Sequence, residues 1–176
     1  EVAEILTELE QFTTRNLLSS HKPDFGIRAS AEWIYERFKA ANPNLVVSYD
    51  EYNLPKQGRR LIQDVELRNV LAVLPGQGCG KERIFLLNAH YDTISRSADG
   101  RFHSEDVDTP APGINDDGSG IAALIETARV FSGRTFDASI YFTAFAGEEM
   151  GLIGSTLLAQ KLKEEGRDVV GVITLD

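Results

Sequence analysis

Four short stretches of this 176-residue chain hold side chains that could do chemistry: His90-Tyr91-Asp92, Asn115-Asp116-Asp117-Gly118-Ser119-Gly120, Gly147-Glu148-Glu149-Met150-Gly151 and the closing Asp176. A metal-binding imidazole commonly donates its second N–H to a carboxylate, which fixes the tautomer, and Asp92 stands two positions beyond His90. Taken alone, a histidine at the end of an apolar run is more often a satisfied structural group. Asp116 and Asp117 precede an amphipathic stretch and read as a capped helix start, because Asp and Asn accept hydrogen bonds from free N–H groups. That account uses one carboxylate and leaves the other, in a glycine-flanked turn, unexplained. Glu148 and Glu149 read in isolation as first-turn acidic residues of a helix. Chemically, neighbouring carboxylates project in different directions, so that one can bind a metal while the other acts as general base.

These clusters need elements to position them. Val2, Ile5, Leu6, Leu9 and Phe12 recur at helical spacing, as do Ile27, Ala31, Ile34, Phe38 and Ala41 until Asn42-Pro43 stops the pattern. Stretches 45–52, 65–74 and 83–90 read as strands separated by turn formers such as Pro55-Lys56-Gln57-Gly58 and Pro75-Gly76-Gln77-Gly78. A helix marked by Ile121, Leu124, Ile125, Ala128 and Phe131, a strand over 138–146, a helix marked by Ile153, Leu157, Leu158 and Leu162, and a strand over 169–175 follow. Strands alternating with helices predict one α/β domain with a largely parallel sheet and helices on both faces. In such a sheet ligands gather beyond the carboxyl ends of the strands, where His90, Glu148 and Asp176 fall. The polar stretch 95–112 is long for a loop inside one domain, and loops of that length are often functional.

Composition narrows the function. With 42% hydrophobic and 26% charged residues the chain is that of a folded protein, not a disordered one. A net charge of −9, with no Lys/Arg run longer than Arg59-Arg60, argues against a nucleic-acid partner. No apolar run approaches the roughly 18 residues of a membrane-spanning helix, so no membrane partner is expected. Cys79 is the only cysteine, which excludes an internal disulfide and a multi-cysteine zinc cluster. A metal here must use His, Asp and Glu, a donor set that suits Zn²⁺, Mn²⁺ or Co²⁺. A start at Glu1 instead of Met fits a removed export signal and equally an engineered, trimmed start; the expectation carried forward is a secreted or periplasmic protein. The glycines at 76, 78 and 80 lead into a strand, not a helix, and read as a turn; His21 and His103 sit in polar surroundings and read as solvated.

Together the four clusters, with Ala111-Pro112-Gly113-Ile114 before Asn115 and Leu152 after Gly151, resemble the co-catalytic zinc exopeptidases typified by bacterial leucyl aminopeptidase. That group also holds glutaminyl cyclase and the protease-like domain of transferrin receptor. Phe12-Thr13-Thr14-Arg15 and Ala29-Ser30-Ala31-Glu32-Trp33-Ile34 look like the family's N-terminal helices, which extends the resemblance over the whole chain. It implies a three-layer α/β/α sandwich with a mostly parallel or mixed sheet, and two Zn²⁺ ions per complete site. By resemblance, Asp116 bridges the metals, His90 and Asp176 complete one site, and Glu149 serves the other. Glu148 becomes the general base and Asp92 the partner of His90. The peptide bond between Asp116 and Asp117 is expected to be cis. A dipeptidase-like zinc family shares the His-x-Asp start but has Asp-x-Lys-Gly where this chain has Asp116-Asp117-Gly118-Ser119, and ranks lower.

The resemblance implies an aminopeptidase, or its N-terminal portion, that releases N-terminal residues from peptides by a metal-activated water. A glutaminyl cyclase-like enzyme, another metal-dependent amidohydrolase and a non-catalytic binding domain are the alternatives. The family's second metal-binding histidine lies beyond Asp176. The chain therefore reads as C-terminally truncated, with the missing part supplied by further sequence or by a partner chain. One metal is expected to bind weakly or not at all, and the 176-residue chain by itself to show little or no peptidase activity.

Overall fold

Alternation of apolar residues along the strands divides the core in two. The computed structural model describes residues 1–97 and 99–176; Ala98, within the stretch 95–112, lies outside the described residues. In β6 (Ser139–Phe145), Ile140, Phe142 and Ala144 point into the larger apolar cluster and Phe145 into the smaller one, as period-2 geometry requires. β3 (Arg83–His90) splits likewise, with Ala89 on the first side and Ile84 and Leu86 on the second. Helices α1 (Val2–Glu10), α2 (Gly26–Ala41) and α3 (Ser119–Val130) cover the larger cluster. Helix α4 (Ile153–Glu164) covers the smaller one through Leu158 and Leu162. The result is a three-layer α/β/α sandwich.

With β1 (Val46–Leu54), β2 (Val65–Leu74) and β7 (Asp168–Thr174), the sheet runs β1-β2-β6-β3-β7. Of the expected mostly parallel or mixed sheet, the mixed form is found and the largely parallel one is corrected: β3 is parallel to β6 and β7, but β2 is antiparallel to β6 and to β1. Connection length is the reason. A parallel pair needs a crossover of roughly a dozen residues or more. Only the links carrying α3 and α4 provide one, whereas the turns after β1 and β2 are too short. β7 lies at the sheet edge with both faces open, and Val172 is 58% exposed.

The N-terminal segment also departs from its periodicity. α1 stops at Glu10, and Thr13 takes a left-handed conformation with φ 61°, so Phe12-Thr13-Thr14-Arg15 are not helical. Instead Thr14 bridges Ala111, and Ala111 N donates to Thr13 O at 2.7 Å, which draws the segment against the turn before Asp116. Within the polar stretch, Ser95–Arg96 (β4) and Phe102–His103 (β5) form a two-stranded ribbon.

Candidate metal centre

Because β6, β3 and β7 are parallel, their carboxyl ends lie along one edge, and the residues after each strand meet there. His90 is the last residue of β3, Glu148 and Glu149 follow β6, and Asp176 follows β7. Asp116 arrives from a kinked turn, Ile114–Gly118, at the start of α3, in which Asp116 and Asp117 depart from helical backbone angles. One donor atom from each of His90, Asp116 and Asp176 lies within 4.8 Å of the other two. His90 Nε2 is 3.0 Å from Asp116 Oδ1, 4.0 Å from Asp176 Oδ1 and 3.9 Å from Glu148 Oε2. Two atoms bound at about 2.0–2.1 Å to a tetrahedral zinc stand roughly 3.3 Å apart, so this trio needs only small side-chain adjustments to share one ion. Both glutamates lie outside the trio, and of the two it is Glu148 whose carboxylate comes within 4 Å of the imidazole.

The two adjacent aspartates divide their work. Asp117 is fully buried; its Oδ1 accepts from Gly120 N at 2.8 Å, capping α3, and its Oδ2 accepts from His90 N at 3.1 Å, joining the helix start to the end of β3. Asp116, half-exposed, is left to face the imidazole. The peptide bond between them is cis.

Asp92 does more than orient His90. Its carboxylate, 1% exposed, accepts from Glu148 N at 3.0 Å and from Glu149 N at 3.1 Å, holding the loop after β6 against the loop after β3. His90 Nδ1 lies 3.2 Å from the Asp92 backbone oxygen and 3.6 Å from Oδ1, so the closer acceptor for its N–H is the main chain.

Arg15 is the residue that sequence reading missed. It is fully buried and donates to four backbone carbonyls: Nε to Tyr91 at 2.6 Å, Nη1 to Pro112 at 2.6 Å and to Leu9 at 3.4 Å, and Nη2 to Gly113 at 3.1 Å. Burial pulls its pKa down to about 10, opposed by the charges of Asp92 and Asp117, so it remains a cation at neutral pH. Nothing in its sequence position distinguishes Arg15 from a solvated charge. His21 is exposed and His103 half-buried beside Glu105, and neither belongs to the group of possible metal ligands.

The site's titrations follow from burial before charge. Burial pushes Asp117 up to about 6, against its hydrogen bonds from Gly120 and His90. It also pushes Glu149 up to about 7, aided by the charges of Asp116 and Asp92, and raises Glu148. Repulsion between neighbouring carboxylates is the smaller contribution. For His90 burial acts downward, but contact with Asp92 and the charges of Asp117 and Glu148 outweigh it and raise the imidazole to about 9.

Glu148 and Leu152 stand between two open cavities. The larger, ≈ 840 Å³, is bounded by His90, Leu158, Val172 and Asp176. The smaller, ≈ 370 Å³, is bounded by Arg60, Ile94, Phe102 and Glu149. The imidazole and carboxylates gathered at the carboxyl edge of the parallel strands are a donor set that could hold a metal ion. Residues 69–176 match peptidase family M28, and a probable zinc metalloprotease of Pyricularia oryzae is 37% identical over 98% of this chain and 34% of its own length. The chain belongs to peptidase family M28. It spans about a third of the curated relatives it matches. Among solved structures, the LapA aminopeptidase of Legionella pneumophila superposes with a TM-score of 0.66 at 24% identity, covering 98% of this chain and 41% of that one. The Fimbriiglobus ruber glutaminyl cyclase superposes at 0.78 with 19% identity, covering 99% and 60%. Both confirm the mixed-sheet sandwich.

Proposed function

We propose that this chain carries the catalytic residues of a zinc-dependent aminopeptidase that removes N-terminal residues from peptides. The observation that carries the reading is the convergence of His90, Asp116 and Asp176 with Glu148 beside them, 3.9 Å from the imidazole. One ion would be held by those three residues, and a second by Asp116 and Glu149. Bound zinc supplies Lewis-acid polarisation of the scissile carbonyl and acidifies water. Glu148, whose pKa is raised chiefly by burial, would take a proton from the attacking water at Oε2 and deliver it to the leaving amine. Asp92 would hold Glu148 in place through its amide. The acidic rim of Asp116, Glu148, Glu149 and Asp176 suits the α-ammonium group of a peptide N-terminus. The name of the Pyricularia relative supports zinc, and that of LapA supports exopeptidase action.

A second reading, cyclisation of N-terminal glutamine, draws on the likeness to glutaminyl cyclases. Mass analysis of peptides beginning with Leu or Gln, incubated with the zinc-loaded protein at the full length its gene encodes, separates the two. Release of the first residue with addition of water, lost in Glu148→Gln, is the expected result. Loss of ammonia from the Gln peptide alone would establish the cyclase, and intact peptides of both kinds would overturn catalysis.

A further inference from the structure

We propose that Arg15 is a positioning residue of the metal centre, setting the separation between His90 and Asp116. The inference rests on the zinc reading above. His90 and Asp116 come from segments far apart in sequence, and the ion they would share tolerates little error in their spacing. Tyr91 follows His90 directly, and Pro112 and Gly113 lead the turn that carries Asp116. The Arg15 guanidinium donates to the carbonyls of all three, and to Leu9 at the end of α1, so one rigid fork connects the β3 exit, the Asp116 turn and the N-terminal helix. Its main chain adds a further connection: Arg15 N donates to Thr93 Oγ1 at 2.9 Å, and Thr93 N to Arg15 O at 3.2 Å. The Gly113 carbonyl that Arg15 binds also accepts from Gly118 N at 2.9 Å, closing the turn around Asp116. At Gly113 φ is +48°, and a Cβ would come within 2.3 Å of Thr93 Cγ2 and 2.5 Å of Asp116 O, so the backbone is held tightly against these neighbours. No carboxylate pairs with the guanidinium among the described residues; every polar partner is a backbone carbonyl of a segment around the site or of α1. A lysine keeps the charge but cannot reach several carbonyls in one plane.

The test measures zinc affinity of the 176-residue chain by competition with a chromogenic chelator, for wild type, Arg15→Lys and Arg15→Met, with circular dichroism confirming that each is folded at the assay temperature. Removing a residue that supports metal ligands typically costs roughly 10- to 100-fold in metal affinity, and that loss is expected for Arg15→Met, with Arg15→Lys intermediate. Wild-type zinc affinity in folded Arg15→Met would overturn the proposal, leaving Arg15 a purely structural residue. If Arg15→Met does not fold, Arg15→Lys decides: weakened zinc binding supports the positioning role, and unchanged binding refutes it. A wild-type chain that binds no zinc would instead refute the metal reading, and the role of Arg15 with it.

Discussion

Replacing Asp92 by Asn tests whether one buried carboxylate holds the centre together. The side chain keeps its shape, but one of the two oxygens that accept from Glu148 N and Glu149 N becomes an NH₂ group. At 1% exposure no water can compensate, so an amide donor would face an amide donor. Losing one hydrogen bond to a charged group costs about 1.5–3 kcal/mol, and a stranded buried donor about 1–3 kcal/mol. These overlap, and a net destabilisation of about 2–4 kcal/mol is expected. Asp92→Ala, which strands both amides, should cost more. Urea unfolding followed by circular dichroism measures the change, provided the slope is the same for each variant. Zinc affinity, read by chelator competition, should fall roughly 10- to 100-fold because the neutral amide removes the negative charge beside His90 and no longer holds both amides of the Glu148-Glu149 loop. An Asp92→Asn chain with wild-type stability and wild-type zinc affinity would refute this reasoning.

In the metal-free chain His90 is raised to about 9, Asp117 to about 6 and Glu149 to about 7, so the folded state binds more protons than the unfolded one; the stability these groups contribute is present at acid pH and lost as pH rises through those values. Zinc competes with the same protons, so the rise in melting temperature on adding zinc should grow between about pH 5 and about pH 8; a constant or shrinking shift would contradict the assignment. Zinc titration should show one tight equivalent, at His90, Asp116 and Asp176, and a weaker second at Asp116 and Glu149, which together offer only two protein side chains; two equally tight sites would be the opposing result. Phe142 is fully buried against Phe38 and Phe131, so Phe142→Ala should lower stability by about 3–5 kcal/mol while the folded protein keeps its zinc affinity, as measured by urea unfolding and chelator competition.

The major strands and helices were legible because period and length suffice for them. β3 and β6 carry short apolar runs of strand length, and the apolar positions of α2 recur at helical spacing. The reactive residue types were legible as well, since two glycine-flanked pairs of carboxylates and a strand-end histidine together exceed what helix capping and core packing require. What each member of a pair does was not. Asp116 and Asp117 are chemically identical and adjacent, and only the fold turns one to Gly120 and His90 N and the other to the His90 ring.

Sheet order and direction depend on which connections are long enough to cross over, and the β4–β5 ribbon is too short to leave a periodic signal. The helical expectation for 12–15 failed because Thr13 turns left-handed and Arg15 gains four carbonyl partners, three of them in distant segments, a tertiary gain that local spacing cannot register. The sequence by itself therefore determined which residues could serve a metal and which elements would carry them, since both follow from side-chain chemistry and local periodicity. Tertiary structure alone decided which carboxylates face the imidazole, how closely they approach it, and that a buried arginine joins the segments that hold them, because those depend on contacts between residues far apart in the chain.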